Sequence, residues 1–330
     1  MRSPVRAFGL FSLCAAGCFL AHSAPGSWIR VASVHFELYT TANEEAGRNL
    51  VGRFEYLRMV LRPVLAAAGA PEKPVCIIAF GSIAEFLPYT PVGHASGFFL
   101  AGTARDFIVL DGPSIETRTA AHEYGHLVIA QSGYRLPAWL NEGLAELYSN
   151  VESGQSDAPA VVGKFIPGRV RSLRRDGWIG LLDLVSASAD SQVFTGAALA
   201  ESAYAESWLL AHMLVMDRRY ADRFRPLLSI IRTAGTAEAF ASVYGKSIAE
   251  VEGDLHAYLE TGQANARVLD IGPPEAAQSI DVERAADFDA RLALADMLRK
   301  YPGRSEQCRG MYRQLALEYP LRPELQLQYR

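Results

Sequence analysis

The apolar positions follow two different rhythms. Up to about residue 112 they alternate or run in short blocks, apart from one helical stretch, and beyond it they recur every three or four residues. From Trp28 to Thr41, Val34, Phe36 and Leu38 alternate with His35 and Glu37, the period of a half-buried strand. Asn43 to Ala68 carries Leu50, Phe54, Leu57, Leu61 and Leu65 at helical spacing, and Pro63 is expected to kink or stop that helix late. Val75-Cys76-Ile77-Ile78-Ala79 is unbroken, as in a buried strand. The stretches 97–100 and 107–110 flank Gly102-Thr103-Ala104-Arg105-Asp106, a hairpin pattern. These elements predict a small mixed sheet with one long helix.

The second rhythm predicts helices. Gly112-Pro113-Ser114 closes the sheet region, with Ser114 as the expected cap of a helix that runs through His122 and His126 to Ser132-Gly133. Leu136-Pro137 opens another helix, through Tyr148. Later apolar stretches are Ala198 to Met216, Phe224 to Ile231 and Ile248 to Leu259. Residues 263–282, with Gly272-Pro273-Pro274, read as a linker. Residues 283–330 read as a helical hairpin whose arms end in Tyr301-Pro302 and Tyr319-Pro320, similar to one tetratricopeptide-type unit. The hairpin either packs on the main domain or docks a protein partner. The class is α+β, with one main domain over 24–262: a sheet part at 27–112 and a helical part at 113–262.

Composition and charge add the setting. Arg2 and Arg6 precede an uncharged run from Ala7 to Ala21, too short to cross a bilayer comfortably, and small residues follow. Residues 1–23 therefore read as a secretory signal, which would place the mature chain in the periplasm or outside the cell. The alternative is acylation of Cys18 after Ala15-Ala16-Gly17, although that box lacks its usual aliphatic residue. Membrane attachment is expected only if the signal is retained or Cys18 is acylated. The chain is 50% hydrophobic and 21% charged, as in globular proteins. Loss of Arg2 and Arg6 takes the net charge from −4 to −6, which argues against a general affinity for nucleic acid. Beyond the signal only Cys76 and Cys308 remain, so the fold is not a disulfide scaffold.

The chemistry is concentrated in His122-Glu123-Tyr124-Gly125-His126. Two imidazoles one helical turn apart face the same way and can hold one Zn²⁺ through neutral ring nitrogens. Glu123 lies beside the first, where a carboxylate reaches water on the metal without being a ligand. A catalytic zinc needs a third protein ligand and an open position. Glu142, 16 residues after His126 on the following helix, is the best candidate. Glu146, one turn further, lies on the same face, where it can hydrogen-bond a ligand His and fix its tautomer. The bland alternatives are two buried structural histidines and a solvated acidic helix face.

His-Glu-Tyr-Gly-His followed by Pro137-Ala138-Trp139-Leu140-Asn141-Glu142-Gly143-Leu144-Ala145-Glu146 resembles the gluzincin zinc metallopeptidases, most closely the peptidase MA-like family of secreted bacterial metallohydrolases. The resemblance covers about Trp28 to Leu259 and is specific at the two motifs. It implies His122, His126 and Glu142 as zinc ligands and Glu123 as general base. It also implies a mixed sheet whose edge, in the segment Phe98 to Leu110, receives an extended peptide substrate above the active-site helix. Tyr204, in Glu201-Ser202-Ala203-Tyr204-Ala205-Glu206-Ser207-Trp208, resembles the family's oxyanion donor, with His212 in reserve. Otherwise Tyr204 simply packs beside Trp208. Two departures stand out. The aminopeptidase segment G-x-M-E-N is missing, the region reading Gly93-His94-Ala95-Ser96-Gly97, and Glu146 falls where the thermolysin-like pattern has Asp.

The remaining candidates carry less. His35 is expected to be solvated, His94 to lie in a loop that can border the cleft, and His256 to face a surface. Arg169, Arg171, Arg174 and Arg175 form a basic cluster suited to a substrate carboxylate or to solvent. The expected function is zinc-dependent hydrolysis of peptide bonds by a metal-activated water with Glu123 as general base, at internal bonds, since the segment that would hold a free N-terminal amine is missing. The alternatives are a zinc-holding binding module with a partner-docking tail, and hydrolysis of another amide in cell-envelope material.

Overall fold

A computed structural model describes residues 28–66, 69, 72–90, 96–112, 118–152, 159–261, 266–271, 279–301 and 303–326. The expected signal, Ser114 and His94 lie outside them. The chain opens on two strands where one was expected. β1 (Ile29–Ala32) and β2 (Phe36–Thr40) are antiparallel, with Val31 opposite Leu38. The turn between them is made by Glu55, which is 1% exposed. Its carboxylate accepts hydrogen bonds from the Ser33 hydroxyl at 2.6 Å and the His35 amide at 3.2 Å, and meets His35 Nδ1 at 2.8 Å. His35 is thus held by a buried carboxylate, not simply solvated. Val34, expected to be inward, is the exposed tip at 70%. The alternation suited either a strand or a turn, and a partner distant in sequence decided it.

α1 (Glu44–Leu65) begins at Asn43, whose side chain accepts the Ala46 amide at 2.8 Å. Pro63 falls in its last turn, where few helical bonds remain to be lost. β3 (Val75–Ala79), α2 (Ile83–Phe86), β4 (Gly97–Leu100) and β5 (Asp106–Leu110) follow. Next come α3 (Arg118–Gln131), which ends beside Gly133 at φ +74°, and α4 (Ala138–Ser149). Beyond β6 (Ala160–Val162) lie α5 (Pro167–Arg175), α6 (Leu181–Ser186), α7 (Gln192–Thr195) and α8 (Ala200–Met216). α9 (Arg218–Ala221), α10 (Phe224–Ala234), α11 (Thr236–Tyr244) and α12 (Ile248–Thr261) complete a helical body. α8 is buried almost all round, as a central helix must be.

The stretch expected to be a linker carries strands, and the hairpin takes the first of its two expected places, packed on the main domain. Residues 263–282 contribute β7 (Arg267–Leu269), which pairs with β6, and the first residues of β8 (Asp281–Arg284). β8 extends the main sheet, whose order is β4-β5-β3-β2-β1-β8. β2, β3 and β5 run parallel, and both edges are antiparallel. α13 (Asp287–Arg299), α14 (Ser305–Glu318) and α15 (Pro323–Gln326) close the described chain.

The sheet is covered on both faces. Leu38, Ile77, Ile108 and Leu110 pack with α1 and α3, whereas Tyr39, Ile78, Phe107 and Val109 pack with α13 and α14. An unbroken run such as Val75–Ala79 requires this, because every second residue needs a second layer. Arg105 ties the layers together by bonding Glu37 at 3.1 Å and Asp296 at 3.3 Å. The hairpin is therefore part of the main unit. Among the described residues no helix is long and apolar enough to cross a membrane. Cys76 and Cys308 are both buried and unpaired.

Candidate metal centre

Two glycines set how closely the site helices approach. A Cβ on Gly125 would lie 3.3 Å from the Ala145 Cα, and one on Gly143 would lie 2.2 Å from the Ser207 carbonyl oxygen. α3 therefore packs tightly on α4, and α4 on α8. This stacking turns the motif-bearing faces of all three helices into one cleft of about 500 Å³. Its lining includes His122, Glu123, His126, Glu142 and Tyr204, with Gly97, Phe98 and Phe99 of edge strand β4 on the other wall.

The two imidazoles project from consecutive turns of α3, with their Nε2 atoms 2.9 Å apart and their rings nearly perpendicular. Glu142 Oε2 lies 3.5 Å from each Nε2. Ligand atoms held about 2.0–2.1 Å from a tetrahedral zinc stand about 3.3 Å apart, so this triangle fits one such ion. Two nitrogens and one carboxylate oxygen are also the donor types zinc takes. His126 Nδ1 is buried without a partner among the described residues.

Charge is arranged to match. Burial works to raise the Glu142 carboxyl, but hydrogen bonds from His122 and His126 outweigh it and hold the group down at about 2. Burial works to lower His122, yet Glu142, Glu146 and the Glu123 charge push it up to about 10. A ring that attracts a proton this strongly also favours a metal cation in the proton's place. Glu123 is raised, chiefly by burial, with His122 and His126 opposing. The backbone amide of Phe99 in β4 also opposes that rise.

Behind His122 stands Glu146, with Oε1 3.4 Å from Nδ1. It is 6% exposed and held by two arginines. Arg169 reaches it through Nε at 3.0 Å and Nη2 at 2.9 Å, and Arg118 through Nη2 at 2.6 Å. Burial opposes ionisation, but His122 and Arg169 keep the carboxyl well below its usual range. These arginines were not assigned this role from the sequence. Arg118 precedes His122 by one helical turn, a usable signal, but Arg169 is distant in sequence, in a cluster that suits a substrate carboxylate or solvent equally. It also bonds Glu201 at 2.8 Å. Arg175 pairs with its neighbour Asp176.

Tyr204 enters the cleft from α8. Its ring meets Phe194 edge-on at 6.1 Å and lies under the Arg169 guanidinium at 5.6 Å, a different setting from the alternative of packing beside Trp208. Burial and the carboxylates of Glu142, Glu123 and Glu146 raise its hydroxyl, which stays protonated and able to donate. His212 lies elsewhere: it is fully buried, with Nδ1 2.7 Å from the Tyr258 hydroxyl and Nε2 2.7 Å from the Gly163 carbonyl. It has no part in the cleft. His256 stacks on Trp178 at 3.9 Å.

The chain matches no family model, and no curated protein matches it at a significant level.

Proposed function

We propose that this chain is an exported zinc metallopeptidase of gluzincin type, cutting peptide bonds within a peptide or protein. The observation that carries the proposal is the convergence of His122, His126 and Glu142 on one point beside Glu123. The six-stranded sheet with an edge strand above α3, and the helical body beneath, are compatible with a zincin-like fold. A purely structural zinc site would close its fourth position with a protein ligand and would have no use for Glu123.

Zinc, when bound here, would supply an acidified water and a polarised carbonyl. Glu123 takes the proton of the attacking water and returns it to the leaving nitrogen, a task suited to a carboxyl that burial raises above its usual range. Tyr204 donates to the oxygen that gains charge. Glu146, fixed by Arg118 and Arg169, holds the His122 tautomer that leaves Nε2 free. The β4 edge offers backbone groups to an extended peptide.

The test combines metal analysis with a peptide-library digest read by mass spectrometry. The purified protein should carry about one zinc per chain and cleave internal bonds. Glu123→Gln should keep zinc and lose cleavage. A folded protein that binds no zinc would end the proposal.

A further inference from the structure

The cleft contains a charge that the hydrolytic chemistry does not use. Arg135 lies in the connection between α3 and α4, on the wall built by Ile129, Tyr134 and Leu136. It is the one Lys or Arg among the described lining residues. Arg118 and Arg169, the other cations near the site, are both committed to Glu146. Arg135 has no hydrogen-bond or ion-pair partner among the described residues. The two lining carboxylates, Glu123 and Glu142, offset a bound divalent ion, so Arg135 is left as the surplus positive charge of the cleft.

We infer that Arg135 is a specificity-determining residue and that the cleft selects peptides presenting a carboxylate to it. This rests on the peptidase reading above and goes further by naming the substrate class. A guanidinium offers a planar fork of donors that matches a carboxylate in a two-point contact. The apolar residues that line the same cleft, Ile129, Leu136, Phe98 and Phe99, would accept the uncharged residues next to that carboxylate. The carboxylate has two sources, an Asp or Glu side chain or the free C-terminus of the peptide. Both present the same group to Arg135.

Fluorescence anisotropy of labelled peptides tests this without turnover, using full-length Glu123→Gln protein as the host. One apolar sequence is made with Glu or Gln at successive positions, and each peptide is made as C-terminal acid and amide. At least one Glu or free-acid peptide should bind about tenfold tighter than its Gln or amide twin. A preference that follows Glu identifies the side chain, and one that follows the free acid identifies the C-terminus. Adding Arg135→Ala should abolish the difference, and Arg135→Glu should reverse it in favour of Lys peptides. Zinc content and thermal midpoint should match the host in both variants. Equal binding of every twin pair would overturn the inference, as would a preference that survives Arg135→Ala. Arg135-dependent binding together with uncleaved peptides in the unmutated protein would leave the inference standing and remove the peptidase reading.

Discussion

Replacing Arg169 with Met removes two hydrogen bonds from Glu146 and the charge over the Tyr204 ring. Glu146 then keeps Arg118 but loses its two-point clamp, and His122 loses part of what fixes its ring. Zinc affinity should fall about 10- to 100-fold, measured by competition with a chromophoric chelator. Glu142→Ala removes a proposed ligand outright and should weaken zinc by more than Arg169→Met does in the same assay. A third residue acts on stability. Burial pushes His212 down to about 4, so the folded state keeps it neutral where an unfolded chain would protonate it near 6.5. Its contribution is complete above about pH 6.5, is lost as pH falls toward 4, and is constant below that. The loss is about 3 kcal/mol. Urea midpoints recorded from pH 7 to 4 should therefore fall more steeply in the unmutated protein than in His212→Gln.

At the scale of elements, the helix contacts are the sensitive points. Gly143→Ala forces a methyl against the Ser207 carbonyl and must part α4 from α8, at a cost of about 3 kcal/mol. It also displaces Glu142, so thermal midpoint and zinc affinity should fall together. Gly125→Ala meets Ala145 at a less severe distance and should lower the midpoint by less. The sequence showed these helices well because each carries its own periodicity and its own stop, as at Ser132-Gly133. It showed the approach distances poorly. Gly143 meets a backbone oxygen 64 positions away, which no local pattern records. The same limit explains β1 and β2, where Glu55 fixes a turn inside what reads as one strand. The HExxH turn and Glu142 were legible because helix geometry alone orients them. Arg169 was not, since only the folded chain brings α5 behind α4.

For the whole molecule, zinc held as proposed would be a ligand of the native state alone. Stripping it with a chelator should lower the thermal midpoint, and zinc at about 100 times its dissociation constant should restore about 2.7 kcal/mol. A calorimetric scan with and without chelator checks this. The second layer on the sheet makes a separate prediction. A chain ending at residue 262 loses α13 and α14 and bares Tyr39, Ile78, Phe107 and Val109. It should be recovered mainly as insoluble protein, as judged by its share in the pellet after lysis. The sequence left the hairpin's place open because both of its possible roles require the same amphipathic helices. The unbroken Val75–Ala79 run was the clue that a cover was needed.

The pairing of β1 with β8 also sets a timetable. Arg30 bonds Glu283 across 253 positions at 2.8 Å, so the first described strand finds its outer neighbour only after that much more chain has been made. At about 5–20 residues per second, a ribosome needs roughly 10–50 s to deliver that partner. Throughout that interval the edge of β1 stays open to any other extended chain. A polypeptide built this way gains from having the β1 edge shielded until β8 has been made.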